Sequence, residues 1–145
     1  MQREIDSIAL REVLYVEDHP TNVHLMQALF KRRPQLELVV ARDGREARRV
    51  AAHLQPALLL LDSRLPDCHG AMLLMQLREL TGWADIPAVA VTAEPDFDAG
   101  HNGFCEVWAK PLDLAFLLER LDHLTASMPT RSWPHLGVAL RPLSE

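Results

Sequence analysis

Glu17, Asp18, Asp62, Thr92 and Lys110 supply three carboxylates, a hydroxyl and an ammonium, the functional groups of a phosphoryl-transfer site. Each stands where a short apolar run ends. Val13-Leu14-Tyr15-Val16 leads into Glu17-Asp18, Leu58-Leu59-Leu60-Leu61 into Asp62, Val89-Ala90-Val91 into Thr92, and Val107-Trp108-Ala109 into Lys110-Pro111. Buried strands of a parallel sheet read as continuous apolar runs, and open α/β sheets bind ligands beyond the carboxyl ends of their strands. If the four runs are neighbouring strands, the five polar groups converge on one spot.

The chemistry follows from the residue types. A carboxylate can attack a phosphoryl group to give an acyl phosphate, and the protein's remaining work is to position groups and neutralise charge. Asp62 is the candidate nucleophile. Three carboxylates brought together repel one another, and Mg²⁺ removes that cost by taking oxygen ligands at about 2.1 Å. Because Mg²⁺ keeps several waters, the backbone carbonyl of Arg64 can add a ligand to those of Glu17, Asp18 and Asp62. Lys110 carries a compact charge on a flexible stem, suited to a phosphoryl oxygen. Thr92 can donate its hydroxyl to another. The Lys110-Pro111 bond is a candidate cis bond that would direct Lys110.

The elements that must position these groups are legible from a period that switches repeatedly, the mark of βα units. After the first strand, Thr21-Asn22 is placed to cap a helix with an apolar face of Val23, Met26, Leu29 and Phe30, stopped by Pro34. A strand is read over 36–41, a helix from Gly44 that ends before Pro56, a strand over 58–61, and a helix carrying Leu73, Leu74, Leu77 and Leu80 that closes at Thr81-Gly82. Strands over 86–91 and 104–109 follow, and Asp113 is placed to cap a last helix with Leu114, Leu117, Leu118, Leu121 and Leu124 on one face. Five strands thus alternate with about five helices. The fourth of these is expected short or missing. Only residues 93–109 separate Thr92 from Lys110, about one helical turn too few, and Asp96-Phe97-Asp98-Ala99-Gly100 is a poor helix former. Residues 127–145, with Pro129, Pro134 and Pro142, read as an irregular tail or linker, leaving 1–126 as one domain.

Composition limits the function classes. A chain of 145 residues suits a single core, and a net charge of -5 without a basic stripe argues against a nucleic-acid surface. The 19 residues after Ala126 are too few for a helix-turn-helix unit. The charged start, Met1-Gln2-Arg3-Glu4, is no secretory leader, and no apolar run approaches the ~20 residues of a membrane helix, so a cytoplasmic location is expected. Cys68 and Cys105 lack CxxC partners and read as reduced thiols. The seven histidines show no ligand spacing. His19 and His69 adjoin the site, with loop roles the favoured reading. Trp108 and Phe104 are expected in the core, while Leu112 and Phe116 are candidates to face a partner.

Four segments resemble the receiver domain of two-component response regulators. They are Tyr15-Val16-Glu17-Asp18-His19-Pro20-Thr21-Asn22, Leu61-Asp62-Ser63-Arg64-Leu65-Pro66-Asp67-Cys68-His69-Gly70, Val91-Thr92-Ala93 and Ala109-Lys110-Pro111-Leu112-Asp113. The resemblance covers about residues 12–125 and is closer to receivers attached to hybrid kinases than to those of transcription factors. It implies a flavodoxin-like doubly wound α/β fold with a five-stranded parallel sheet of order 2-1-3-4-5. It further implies metal binding by Glu17, Asp18, Asp62 and the Arg64 carbonyl, phosphorylation of Asp62, and sensing of the phosphoryl group by Thr92 and Lys110. The implied cofactor is Mg²⁺ and the implied partner a histidine kinase or histidine phosphotransfer protein, with the chain a monomer or weak dimer and no enzyme towards outside substrates.

Two other functions compete. Haloacid-dehalogenase-like phosphatases also place an Asp after a buried strand, but their general acid two residues on is replaced here by Arg64. A degenerate receiver would bind partners without phosphorylation, and the complete set of site residues argues against it. The chain departs from the family at Val107, three residues before Lys110, where receivers often carry a rotating Tyr or Phe. Arg64 and Glu94, two residues past Asp62 and Thr92, have opposite charges that permit a pair over the site.

Overall fold

The computed structural model describes residues 10–126. In chain order the elements are β1 Arg11–Val16, α1 Pro20–Phe30, β2 Leu36–Ala41, α2 Gly44–Ala51, β3 Pro56–Asp62, α3 Gly70–Thr81, β4 Ala88–Thr92, β5 Glu106–Ala109 and α4 Leu114–Ala126. The strands form one parallel sheet of order β2-β1-β3-β4-β5. This is the flavodoxin-like order the motifs imply.

Strand alternation divides the core in two. Leu14, Val16, Leu59, Leu61 and Ala90 face α2 and α3, where they meet Ala47, Ala51, Leu73 and Leu77. Val13, Tyr15, Leu58, Leu60, Val91 and Trp108 face α1 and α4, against Met26, Leu29, Leu117 and Leu121. A sheet covered on both faces has no polar side, and for that reason β3 is an unbroken leucine run.

The helix ends follow local chemistry. Asp43 caps α2 by accepting from the Glu46 N–H at 2.8 Å, and α3 stops at Gly82, whose φ of 75° is the left-handed conformation glycine adopts freely. The start of α1 differs from expectation. It begins at Pro20 rather than after a Thr21-Asn22 cap, because proline's fixed φ and missing N–H suit the first helical position, and His19 occupies the cap without a side-chain cap bond.

Strand starts also shift. β3 begins at Pro56 instead of Leu58, β4 at Ala88 instead of Ile86, and β5 at Glu106 instead of Phe104. Phe104 leaves the sheet to pack edge-on against Phe97, ring centroids 5.7 Å apart. Residues 93–105 contain turns and no helix, so the described residues hold four helices rather than about five. Asp98 accepts from the His101 N–H at 3.0 Å and the Phe104 N–H reaches the Ala99 carbonyl at 2.9 Å, closing the segment on itself. The proposed tail over 127–145 lies outside the described residues.

Candidate functional site

Each polar group sits at a strand end on the same edge of the sheet. β1 delivers Glu17 and Asp18, β3 ends in Asp62, β4 in Thr92, and Lys110 follows β5. The registers Val16↔Leu61, Asp62↔Val91 and Thr92↔Ala109 bring these ends level. The Lys110-Pro111 bond is cis.

Lys110 is the centre of the arrangement. Its Nζ lies 2.9 Å from Glu17 Oε1 and 2.9 Å from Asp62 Oδ2. Glu17 is wholly buried, with Tyr15 donating its hydroxyl to Oε1 at 3.2 Å and the His19 backbone N–H reaching Oε2 at 3.2 Å. The Arg64 N–H supports Asp62 Oδ1 at 3.1 Å. Burial alone would push Glu17 upward in pKa, but the bonds from Lys110 and His19 outweigh it and hold the carboxyl below its ordinary value. At Asp62 burial prevails and, with the negative charge of Glu17, raises the carboxyl above the usual range. Burial would lower Lys110, yet its two carboxylates raise it. Burial and the Glu17 charge likewise keep the Tyr15 phenol protonated.

The described residues offer one concentration of cation ligands here. Glu17, Asp18, His19 and Asp62 each present a ligand atom, all within 4.8 Å of one another. Three carboxylates face one ammonium, an excess of negative charge made of hard oxygen donors, and this fits Mg²⁺.

Thr92 is placed differently from its companions. Its Oγ1 is 2.5 Å from Ser63 Oγ and accepts the Glu94 N–H at 3.0 Å. Ser63 and Tyr15 were not singled out by the sequence reading. The signal for Tyr15 was the two-residue strand period, which points it to the same side as Glu17. Ser63 follows the acceptor directly, and nothing in the sequence pairs it with Thr92. Gly70 is required by space: a Cβ there would stand 2.2 Å from the Asp62 carbonyl oxygen, so only glycine lets α3 start this close to the site.

Residues 13–122 match the family model described as the response regulator receiver domain. The chain belongs to that family. The polar-differentiation response regulator DivK of Brucella anthropi is 30% identical, over 77% of this chain and 93% of the relative. Among solved structures, the receiver domain of sensor histidine kinase PA1611 from Pseudomonas aeruginosa PAO1 superposes with a TM-score of 0.70 and 27% identity, over 82% of this chain and all of that one. That protein holds a magnesium ion coordinated in its active site cleft. The chemotaxis response regulator CheY4 of Vibrio cholerae shares the fold, with a TM-score of 0.72 at 21% identity over 79% of this chain and 98% of that one. Receiver domains are signalling domains of two-component systems, and aspartyl phosphorylation with Mg²⁺ binding is typical of them. No helix among the described residues is long and apolar enough to cross a membrane.

Proposed function

We propose that this receiver is a Mg²⁺-dependent phosphoacceptor switch in the cytoplasm, phosphorylated on Asp62 by a histidine kinase or a histidine phosphotransfer protein. The observation that carries this reading is the bridge from Lys110 Nζ to both Asp62 Oδ2 and Glu17 Oε1. An Asp62 oxygen forms the new O–P bond as the N–P bond of the donor phosphohistidine breaks. The imidazole leaves with the bonding electron pair. Lys110, already within bonding distance of Asp62, neutralises charge on one phosphoryl oxygen, and Thr92 exchanges its Ser63 contact for another. A bound Mg²⁺ would be held by Glu17, Asp18, Asp62 and the Arg64 carbonyl and would supply further charge neutralisation.

The alternatives are less well supported. A haloacid-dehalogenase-like phosphatase needs a general acid two residues beyond the nucleophile, where this chain has Arg64 bonded to Glu94. A degenerate receiver has no use for a buried Glu17 and a Lys110 aimed at Asp62. Phosphorylation by a small-molecule phosphodonor, read by intact mass with and without Mg²⁺, tests the proposal. One phosphoryl mass gained only with Mg²⁺, and absent from Asp62→Ala, is the expected result. Persistence of the gain in Asp62→Ala would move the acceptor elsewhere.

A further inference from the structure

His19 has an environment that the phosphoacceptor reading leaves unused. Its Nδ1 lies 3.2 Å from Glu17 Oε2 and 3.3 Å from Asp18 Oδ1, and the ring joins Glu17, Asp18 and Asp62 in the set of ligand atoms within 4.8 Å of one another. Ligands at about 2.1 Å from an octahedral ion stand about 3 Å from adjacent ligands and about 4.2 Å from opposite ones. The imidazole nitrogen is thus already at adjacent-ligand spacing from two carboxylates. A single N–H shared between two oxygens makes only a bifurcated contact, whereas a cation among the three groups would take one ligand atom from each.

The backbone at His19 is held next to the cluster. His19 caps α1 in an extended conformation (φ -86°, ψ 118°), its N–H is held by Glu17 Oε2 at 3.2 Å, and Pro20 begins the helix immediately after it. The side chain is 67% exposed, so it stands at the solvent side of the acidic cluster and not within the core. Lys110 occupies the opposite side of Glu17, on Oε1. The cluster is therefore closed by an ammonium within and an imidazole without.

We propose that His19 is a direct ligand of the divalent cation, through Nδ1, and that it tunes this site toward imidazole-preferring ions such as Co²⁺ and Zn²⁺ over Mg²⁺. The proposal rests on the cation site of the preceding reading. Carboxylate, carbonyl and water suit Mg²⁺, whereas imidazole suits the later first-row divalent metals. Ligation through Nδ1 requires the neutral tautomer in which the single ring proton is carried by Nε2.

Calorimetric titration of the full chain with MgCl₂ alone and CoCl₂ alone, together with the visible spectrum of the Co²⁺ form, tests this. His19→Asn, a residue that still caps a helix well, is expected to weaken Co²⁺ by about tenfold or more and to change its d–d absorption, while Mg²⁺ affinity moves less than about twofold. His19→Gln should behave alike, which separates lost ligation from any local change at the cap. Equal losses for the two ions, or no loss for Co²⁺, would overturn the role of His19. Asp18→Asn distinguishes the two readings: if it leaves both affinities unchanged, the acidic cluster is not the cation site and both proposals fall. If it weakens both ions while His19→Asn affects neither, only His19 is removed.

Discussion

Arg64 and Glu94 meet at the rim of the acceptor site, with Arg64 Nε and Nη2 each 3.0 Å from Glu94 Oε2. The pair joins the segment after β3 to the segment after β4. Glu94 also donates its N–H to Thr92 Oγ1 at 3.0 Å, and hydrogen bonds from Ser63 and Arg64 hold its carboxyl below the ordinary range. Two residues past Asp62 and Thr92, both side chains are expected to flank the path of water to an Asp62 acyl phosphate. The ion pair is solvent-exposed and weak, so its removal is expected to shorten the phosphoryl lifetime by roughly twofold to fivefold and no more. Decay of the phosphorylated protein after donor removal, in Arg64→Ala and Glu94→Ala beside the parent, measures this. Decay rates equal to the parent's would remove the lid.

Mg²⁺ should stabilise the folded chain, since Glu17, Asp18 and Asp62 bring three carboxylates together and Lys110 pairs with two of them, Glu17 and Asp62. An ion that binds only the native state contributes RT ln(1 + [L]/Kd), about 1.4 kcal/mol at ten times Kd. That corresponds to a Tm rise of a few degrees in a domain of this size. Asp18→Asn should flatten the rise by removing an oxygen charge from the cluster. A Tm unchanged across millimolar Mg²⁺ in the parent would count against the cation site.

The sheet and its polar ends were legible because burial on both faces leaves unbroken apolar runs, and the change from apolar to polar marks the strand's end. Strand starts were less legible. Leu58 looked like the beginning of β3, whereas Pro56 already pairs with Glu12, and a register shift next to Glu12 accommodates it. Phe104 is as apolar as a strand residue, yet it packs from a loop against Phe97. Side-chain pairings across long separations were harder still. Opposite charges at Arg64 and Glu94 permitted the observed pair, but the 2.5 Å contact between Ser63 and Thr92 depends on the exact level of two strands, which hydropathy does not encode. His19 Nδ1 lies 3.2 and 3.3 Å from the carboxylates of Glu17 and Asp18, contacts between chain neighbours that no ligand-spacing pattern marks.

Asp67 ties the loop after the acceptor strand to a different helix. Its two carboxylate oxygens accept the N–H groups of Gly44 and Arg45, each at 2.9 Å, at the start of α2. These bonds, the one from Gly44 first, hold the Asp67 pKa below its ordinary value. A folded-state pKa that is depressed contributes stability above the unfolded value, near 4 for Asp, and that contribution disappears as pH falls through the folded value. Asp67 is exposed, so solvent screening discounts its charge and Asp67→Ala should cost about 0.5–1 kcal/mol at pH 7, the lower part of the range for loss of a helix N-terminal acceptor. Denaturant unfolding of parent and variant at pH 7 and pH 3 measures the gap, which should narrow at the lower pH. A gap independent of pH would show that the charge of Asp67 contributes nothing.

The absence of a helix between β4 and β5 bears on output. Receivers generally couple movement of the Thr to a surface built from the helix before the last strand, that strand and the last helix, with an aromatic rotor three residues before the Lys. Here that residue is Val107, a half-buried aliphatic packed against the core on the α2 and α3 side, and residues 93–105 offer turns in place of a helical face. The remaining part of the surface is engaged within the chain. Arg120 of α4 grips Glu106 of β5 through two bonds of 2.9 and 2.7 Å, and the Trp108 indole N–H donates to the same carboxylate at 2.9 Å. Those charges are not free to reach across a twofold axis. Leu114 and Phe116 are exposed on α4, but Leu112 turns inward against the core. The expected outcome is that beryllofluoride activation gives no tight symmetric dimer through residues 106–120, with output passing through α1 or the 94–104 segment. Sedimentation velocity of the activated protein, with cross-links mapped by mass spectrometry, decides it. A tight activated dimer whose contacts map to 106–120 would show that this face works without the rotor or the helix.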